Sequence, residues 1–225
     1  MLSLPLGSLP EAAPKSRQDR RREDTRRRLM KAAYELLARR GFEGVFIQEI
    51  TERADVGYGS FYNHFLSKEG IASAVIDAAR LHIEQIHECL GGLSADFTEA
   101  FAIELRVMLH LCKTNERWGW FVINSILSGQ DLRFGVRDIL KRGVDSGISN
   151  GAFKYGDVEM AYEIIGGLLL LGTLKLVSEE TPEDYPARIV STALEALRVP
   201  GHKIKDVMSK PLPEIDLPSF LEAAA

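Results

Sequence analysis

Between Gly57 and Phe65 the chain reads GYGSFYNHF. Two tyrosines, a serine, an asparagine and a histidine crowd into one short stretch that opens on two glycines. Each glycine costs a helix about 1 kcal/mol relative to alanine. A segment meant only to pack would carry leucine and alanine, so the composition points to a surface that must stay small, polar and rich in hydrogen-bonding groups. Amides and hydroxyls of this kind pair with the edges of heterocycles and with anions. Covalent or metal chemistry has no comparable support: the sequence shows no nucleophile elbow, no paired metal motif and no phosphate loop. We therefore expect no enzyme, no metal and no cofactor.

The charge distribution agrees with an anionic partner. The chain has 225 residues and a formal net charge of −4, yet residues 15–40 hold eleven Lys or Arg against four Asp or Glu. Residues 71–225 are acidic, with fifteen basic and twenty-two acidic side chains. A basic end on an acidic protein marks a polyanion contact or a solvated arm. The two cysteines, Cys89 and Cys112, have neither metal-ligand spacing nor a disulfide framework and read as small buried hydrophobes in a reducing, cytoplasmic setting. The apolar run IIGGLLLLGTL, residues 164–174, is 11 residues long, short of the roughly 20 needed to span a bilayer, so no membrane partner is expected.

Helical periodicity positions these residues. DTRRRLMKAAYELLARRGF carries Leu29, Ala33, Leu36, Leu37 and Arg40 on one stripe, with Asp24 or Thr25 as cap and Gly41 as stop. IQEITERA, residues 47–54, is a short second helix, and GYGSFYNHF follows as a third after a three-residue turn in which Asp55 takes the left-handed conformation and Val56 plugs the interior. Residues 47–65 thus have the dimensions of a helix-turn-helix. At 100° per residue Phe61 and Phe65 share the anchoring side, while Gly59 and Asn63 face away, flanked by Ser60 and Tyr62. A long fourth helix places Ile71, Val75, Ala78, His82, Ile86 and Cys89 together, with Ser67 as its cap. Later stripes run through Phe97 to Cys112, through ERWGWFVINSIL, through Leu132, Val136, Ile139 and Gly143 from a start at Asp131, and through two segments after an Asp157 cap. With no alternating strand pattern, the fold class is all-α with nine or ten helices.

The stretch RRRLMKAAYELLARRGFEGVFIQEITERADVGYGSFYNHFLSKEGI resembles the DNA-binding region of the TetR family of bacterial transcriptional regulators. Gly41-Phe42, Ile50, Ala54, Val56, Gly59, Phe61-Tyr62, His64-Phe65 and Lys68-Glu69 carry the likeness. The resemblance implies a homodimer on a palindromic double-stranded DNA operator, usually repressing, and released when a small molecule occupies a larger helical domain. It places Gln48, Tyr58, Gly59, Tyr62 and Asn63 against bases and Ser60, His64 and Lys68 against phosphates. Gln48 and Asn63 are the residue types that read an adenine edge bidentately. Two positions depart from the family: Phe46 stands where a threonine usually begins helix two, and Gly57 where a capping serine is usual. Thr25, Arg20, Arg21 and Arg22 are also counted among the DNA-binding residues, the three arginines expected either to reach along the minor groove or to form a solvated arm.

Four regions follow: a disordered basic arm (1–23), the helix-turn-helix domain (24–68), a ligand-binding and dimerisation domain (69–199), and a short helix with a tail (200–225). Leu105, Met108, Cys112, Trp118, Phe121 and Tyr162 are either core or the lining of a pocket for a hydrophobic or aromatic effector. Gly166, Gly167, Leu170 and Leu194 fall in the two last long helices, which by resemblance form the dimer interface. A constitutive or architectural DNA-binding protein without an inducer is the alternative.

Overall fold

In the computed structural model the described residues are 16–90, 94–127 and 135–212, without the side chains of 135–138. Expectations for residues 1–15, Asp131, Leu132 and 213–225 lie outside them. Among the described residues there are ten helices and no strand.

Helix α1 (Arg17–Arg40) begins well before Asp24. Ser16 accepts from the Asp19 N–H at 3.1 Å, and the Asp19 carboxylate accepts in return from the Ser16 N–H and hydroxyl at 3.2 and 2.7 Å. This reciprocal cap, followed by arginine and glutamate with good helix propensity, extends the helix by two turns with no apolar stripe to announce it. The disordered arm expected to reach residue 23 is corrected accordingly. Thr25 is not a cap either: it lies within the helix, its hydroxyl donating to the Arg21 carbonyl at 2.9 Å. At the other end Gly41 has φ +67° and closes the helix as expected.

Helices α2 (Ile47–Arg53), α3 (Tyr58–Phe61) and α4 (Lys68–Leu90) follow. Phe46 cannot cap α2 with its side chain, but Glu49 reaches back to accept from the Phe46 N–H at 3.2 Å, which fixes the helix start. Ser67 accepts from the Gly70 N–H at 3.2 Å and caps α4 alone. On α4 the expected stripe is buried from Ile71 to Ile86, but Cys89 is exposed and Leu90 takes the inward position.

One core joins α1, α2, α3 and the first half of α4 to Cys112, Trp118, Phe121 and Val122 of α5 (Phe97–Thr114) and α6 (Glu116–Leu127). A second joins α5 to α7 (Gly135–Ser149), α8 (Val158–Ser178), α9 (Tyr185–Ala196) and α10 (Gly201–Ser209). The seam between α1 and α6 is intimate. Tyr34 meets Phe121 edge to face at 5.0 Å, and Asn124 donates to the Ala38 carbonyl at 2.8 Å. Burial there pushes the Tyr34 phenol up to about 12.

Asp157 caps α8 by accepting from the Met160 N–H at 3.1 Å. This helix of 21 residues is long and apolar enough to cross a membrane by length and composition, contrary to the count made on its uncharged run alone. It is packed against α5, α6, α7 and α9. Gly172 permits the contact with α9, since a Cβ there would lie 2.6 Å from Ile189.

The turn between α2 and α3 rests on Asp55, whose φ of +50° is the expected left-handed conformation. Asp55→Val should cost about 1–2 kcal/mol because a β-branched side chain resists that region, whereas Asp55→Gly should stay within about 1 kcal/mol of the parent, losing only an exposed ion pair. Urea denaturation of the two variants measures the difference.

Candidate nucleic-acid interface

The recognition element is shorter than the nine residues expected of it. Its helical part is the single turn of α3, and the chain continues to Phe65 as turns, with the Asn63 N–H donating to Ser60 at 3.2 Å and the Phe65 N–H to Phe61 at 3.0 Å. Side-chain directions nevertheless follow the projection. Phe61 is 0% exposed and Phe65 is buried with it, while Tyr58 (53%) and Tyr62 (47%) stand out and Gly59 and Asn63 face solvent. A Cβ built on Gly59 would meet nothing within 4 Å. No packing inside the protein therefore requires glycine at that position, which leaves a flat spot on the outer face where a backbone can approach closely.

Tyr58 and Tyr62 form a pair, rings edge to face at 5.7 Å and hydroxyls 3.2 Å apart. That hydrogen bond raises the Tyr62 pKa above the ordinary phenol value. Gln48 is exposed on α2 and donates to Glu52 at 2.9 Å, which orients its amide. Lys68, expected at a phosphate, has a partner within the protein. Its ammonium donates to the Phe42 carbonyl at 3.1 Å and lies 4.2 Å from the Phe42 ring centroid, so it fastens α4 to the end of α1.

His64 is half-buried beside Asp19, Arg22, Glu23 and Arg26 of α1. Partial burial, then the guanidinium groups of Arg22 and Arg26, hold its imidazole below the usual histidine range. Arg20, Arg21 and Arg22 are exposed, but as successive residues of a helix they point in three directions about 100° apart. The three therefore stand on a helix and not on a disordered arm, and of them Arg22 turns toward His64. Two neighbours that sequence reasoning missed hold the element in place. Arg26 lies 4.4 Å from the Phe65 centroid and donates to the His64 carbonyl at 3.4 Å. Arg28 donates to the Asp55 carbonyl at 2.6 Å and to its carboxylate at 3.1 Å. Their spacing on α1 gave no signal, because their partners lie 27 and 38 residues downstream.

A second arrangement ties this region to the rest of the chain. The Glu35 carboxylate of α1 pairs with Arg53 of α2 at 2.6 Å and Arg117 of α6 at 3.2 Å. The side chains proposed as pocket lining are dispersed. Cys112, Trp118 and Phe121 are buried in the first core, where burial pushes the Cys112 thiol up to about 12. Leu105 is buried in the second core, Met108 packs against the first, and half-buried Tyr162 lies near Gly166. None of the six lines a cavity of about 310 Å³ between α4, α5 and α7, whose walls include His87, Phe97, Phe101, Glu104, Ile139 and Arg142. Of the glycines and leucines expected at a dimer interface, Gly167 is exposed and Gly166 and Leu170 are half-buried, but Leu194 is 0% exposed. Leu194 is corrected to a core residue, since α9 turns it into the second core and away from any partner.

Replacing Tyr58 by phenylalanine removes the partner that holds the Tyr62 proton. The Tyr62 pKa should then fall back toward the ordinary phenol value, read by ultraviolet titration of the variant against the parent.

Comparison with known proteins agrees with this geometry. Residues 29–75 match the model of the bacterial regulatory proteins of the tetR family. Over 55 residues the chain is 40% identical to the HTH-type transcriptional repressor DhaR of Mycobacterium sp. (strain GP1), covering 24% of this chain and 28% of DhaR. Over 54 residues it is 39% identical to the HTH-type transcriptional repressor NemR of Escherichia coli (strain K12), covering 24% of this chain and 27% of NemR. These matches thus span little more than a quarter of the relatives' length. The solved structure of RolR in complex with resorcinol aligns with a TM-score of 0.60 at 28% identity over 88% of this chain and 100% of that one. FadR from Bacillus subtilis, solved with stearoyl-CoA, shares the fold with a TM-score of 0.61 at 24% identity, over 76% of this chain and 96% of that one. The helix-turn-helix geometry and these likenesses together show that residues 29–75 form a DNA-binding domain of the kind found in the bacterial regulatory proteins of the tetR family, on a chain whose fold is similar to that of RolR.

Proposed function

We propose that this chain is a ligand-responsive transcriptional repressor that binds a palindromic operator as a homodimer and leaves it when a small hydrophobic or aromatic effector occupies the helical region behind the helix-turn-helix. The observation that carries the reading is the outer face of α3: a glycine with open space in front of it, flanked by exposed Tyr58, Tyr62 and Asn63 and anchored from behind by Phe61 and Phe65. That face suits the major groove, with Gln48 and Asn63 on adenine edges and Tyr58 and Tyr62 against bases and sugars. Ser60, His64 and Arg22 suit the flanking phosphates.

Dimerisation is supported by α8. Met160, Ile164, Gly167 and Leu171 recur at i, i+4, i+7 and i+11, and all four are exposed, Leu171 at 66%. An apolar stripe of this kind fits a second copy of itself across a two-fold axis, which matches two operator half-sites. The repressor names of DhaR and NemR and the ligand in the RolR structure favour a regulated repressor over a constitutive architectural factor. A DNA target fits a protein of the bacterial cytoplasm.

Selection of genomic fragments with the purified chain should enrich a palindromic site. Tyr62→Ala or Asn63→Ala should weaken binding to it by roughly 5- to 150-fold, the equivalent of about 1–3 kcal/mol per lost base contact. Sequence-independent binding with no enriched fragment would instead favour the architectural protein. Light scattering should show a dimer that Leu171→Asp converts to a monomer, and a parent chain that is already monomeric would remove the two-fold model.

A further inference from the structure

The cavity between α4, α5 and α7 has a specific chemistry. Its floor is aromatic: Phe97 and Phe101 stack at 6.4 Å with 13° between their planes, and Phe153 meets both edge-on at 5.7 and 5.1 Å. Gly143 keeps the α7 wall low, since a Cβ there would lie 2.9 Å from the Phe101 ring. On the other side the His87 Nδ1 lies 3.0 Å from Glu104 Oε1, and the Glu104 side chain is only 20% exposed. A carboxylate only accepts, so Nδ1 carries the proton and donates. In a neutral ring Nε2 is then an acceptor, and Glu104 has a second oxygen free to accept as well. The α7 side adds donors from Arg142 and Ser146.

A volume of about 310 Å³ sets the size of the occupant. A cavity of about 150 Å³ holds benzene, so this one accommodates a single ring with substituents and is small for a long acyl chain. Acceptors on the α4–α5 wall select a ligand that donates there, which means a hydroxyl: a carboxylate turned to that wall would face the Glu104 anion, and one turned to Arg142 on the α7 side would leave these acceptors without a donor. We propose that this cavity is the effector site and that it binds single-ring hydroxylated aromatics, with the ring on Phe97 and Phe101 and a hydroxyl donating to the His87–Glu104 pair. The proposal rests on the reading of the chain as a ligand-responsive regulator, and it places the effector away from the Cys112, Trp118 and Phe121 cluster.

The test is calorimetric titration of the full chain with resorcinol, benzoate and cyclohexanol, backed by thermal melts. Resorcinol should bind saturably and raise the melting temperature, benzoate and cyclohexanol much less. Glu104→Gln should weaken resorcinol at least tenfold, and Ala100→Leu, which fills the cavity, should abolish its binding; both variants are first checked for parental helicity and cooperative melting. Resorcinol binding no tighter than cyclohexanol, benzoate binding tighter than resorcinol, or parental resorcinol affinity in both variants would overturn the proposal. The regulator reading is scored separately by fragment selection without ligand. A chain that selects an operator yet ignores resorcinol fails only the cavity assignment, and one that binds resorcinol but selects no DNA fails only the regulator.

Discussion

The recognition turn cannot support itself. Four helical residues are far below the length at which a helix is stable alone, and two of the first three positions from Gly57 are glycine. What holds the element is the burial of Phe61 and Phe65 in the core that α1, α2 and the first half of α4 share, with α3 packed on α2, which contributes roughly 2–3 kcal/mol for each ring. Because the anchoring side carries the stability, the outward side is released from any packing duty and carries only tyrosine hydroxyls, an amide and a bare glycine.

The same dependence makes α1 the central strut. Its buried face packs along α6, α4 and α2 in the core that also holds Phe61 and Phe65, and its polar face supplies Arg26 to Phe65 and Arg28 to Asp55. Glu35 holds one arginine from α2 and one from α6. These ion pairs are partly exposed and individually weak, but they align three helices that already share a core. Helix α4 adds a longer link. Its first half lies in the same core as Phe61 and Phe65, and His87 near its end forms part of the cavity wall. One core thus continues across residue 68, with Phe61 and residues of α4 and α6 in it together.

Much of this was legible in the sequence because periodicity reports burial. The Phe61 and Phe65 anchor, the left-handed Asp55, the Gly41 stop, the Asp157 cap and the α4 stripe through Ile86 all follow from spacing and from the few residue types that tolerate a given backbone. The start of α1 did not, since a helix of Arg, Asp and Gln stabilised by the Ser16–Asp19 cap has no apolar period. The partner of Lys68, the Phe42 carbonyl, was equally hidden, because it lies 26 residues upstream. The cavity escaped for a related reason. His87, Phe97, Glu104 and Arg142 come from three helices, and no local pattern joins them, whereas Trp118 and Phe121 are conspicuous in sequence and turn out to serve the α1–α6 seam. Leu194 lies on a helix expected at the dimer interface, but helix identity alone did not tell which way it faced.

The most direct test of the central claim is native-state hydrogen exchange at the Phe65 amide, which donates to Phe61, compared with amides in the middle of α1 such as Leu37. If the recognition turn is one cooperative piece with the α1 core, both should exchange with opening free energies within about 1 kcal/mol of each other. Exchange of Phe65 through an opening several kcal/mol cheaper would mean that the turn forms and dissolves independently of its anchor, and would contradict the account.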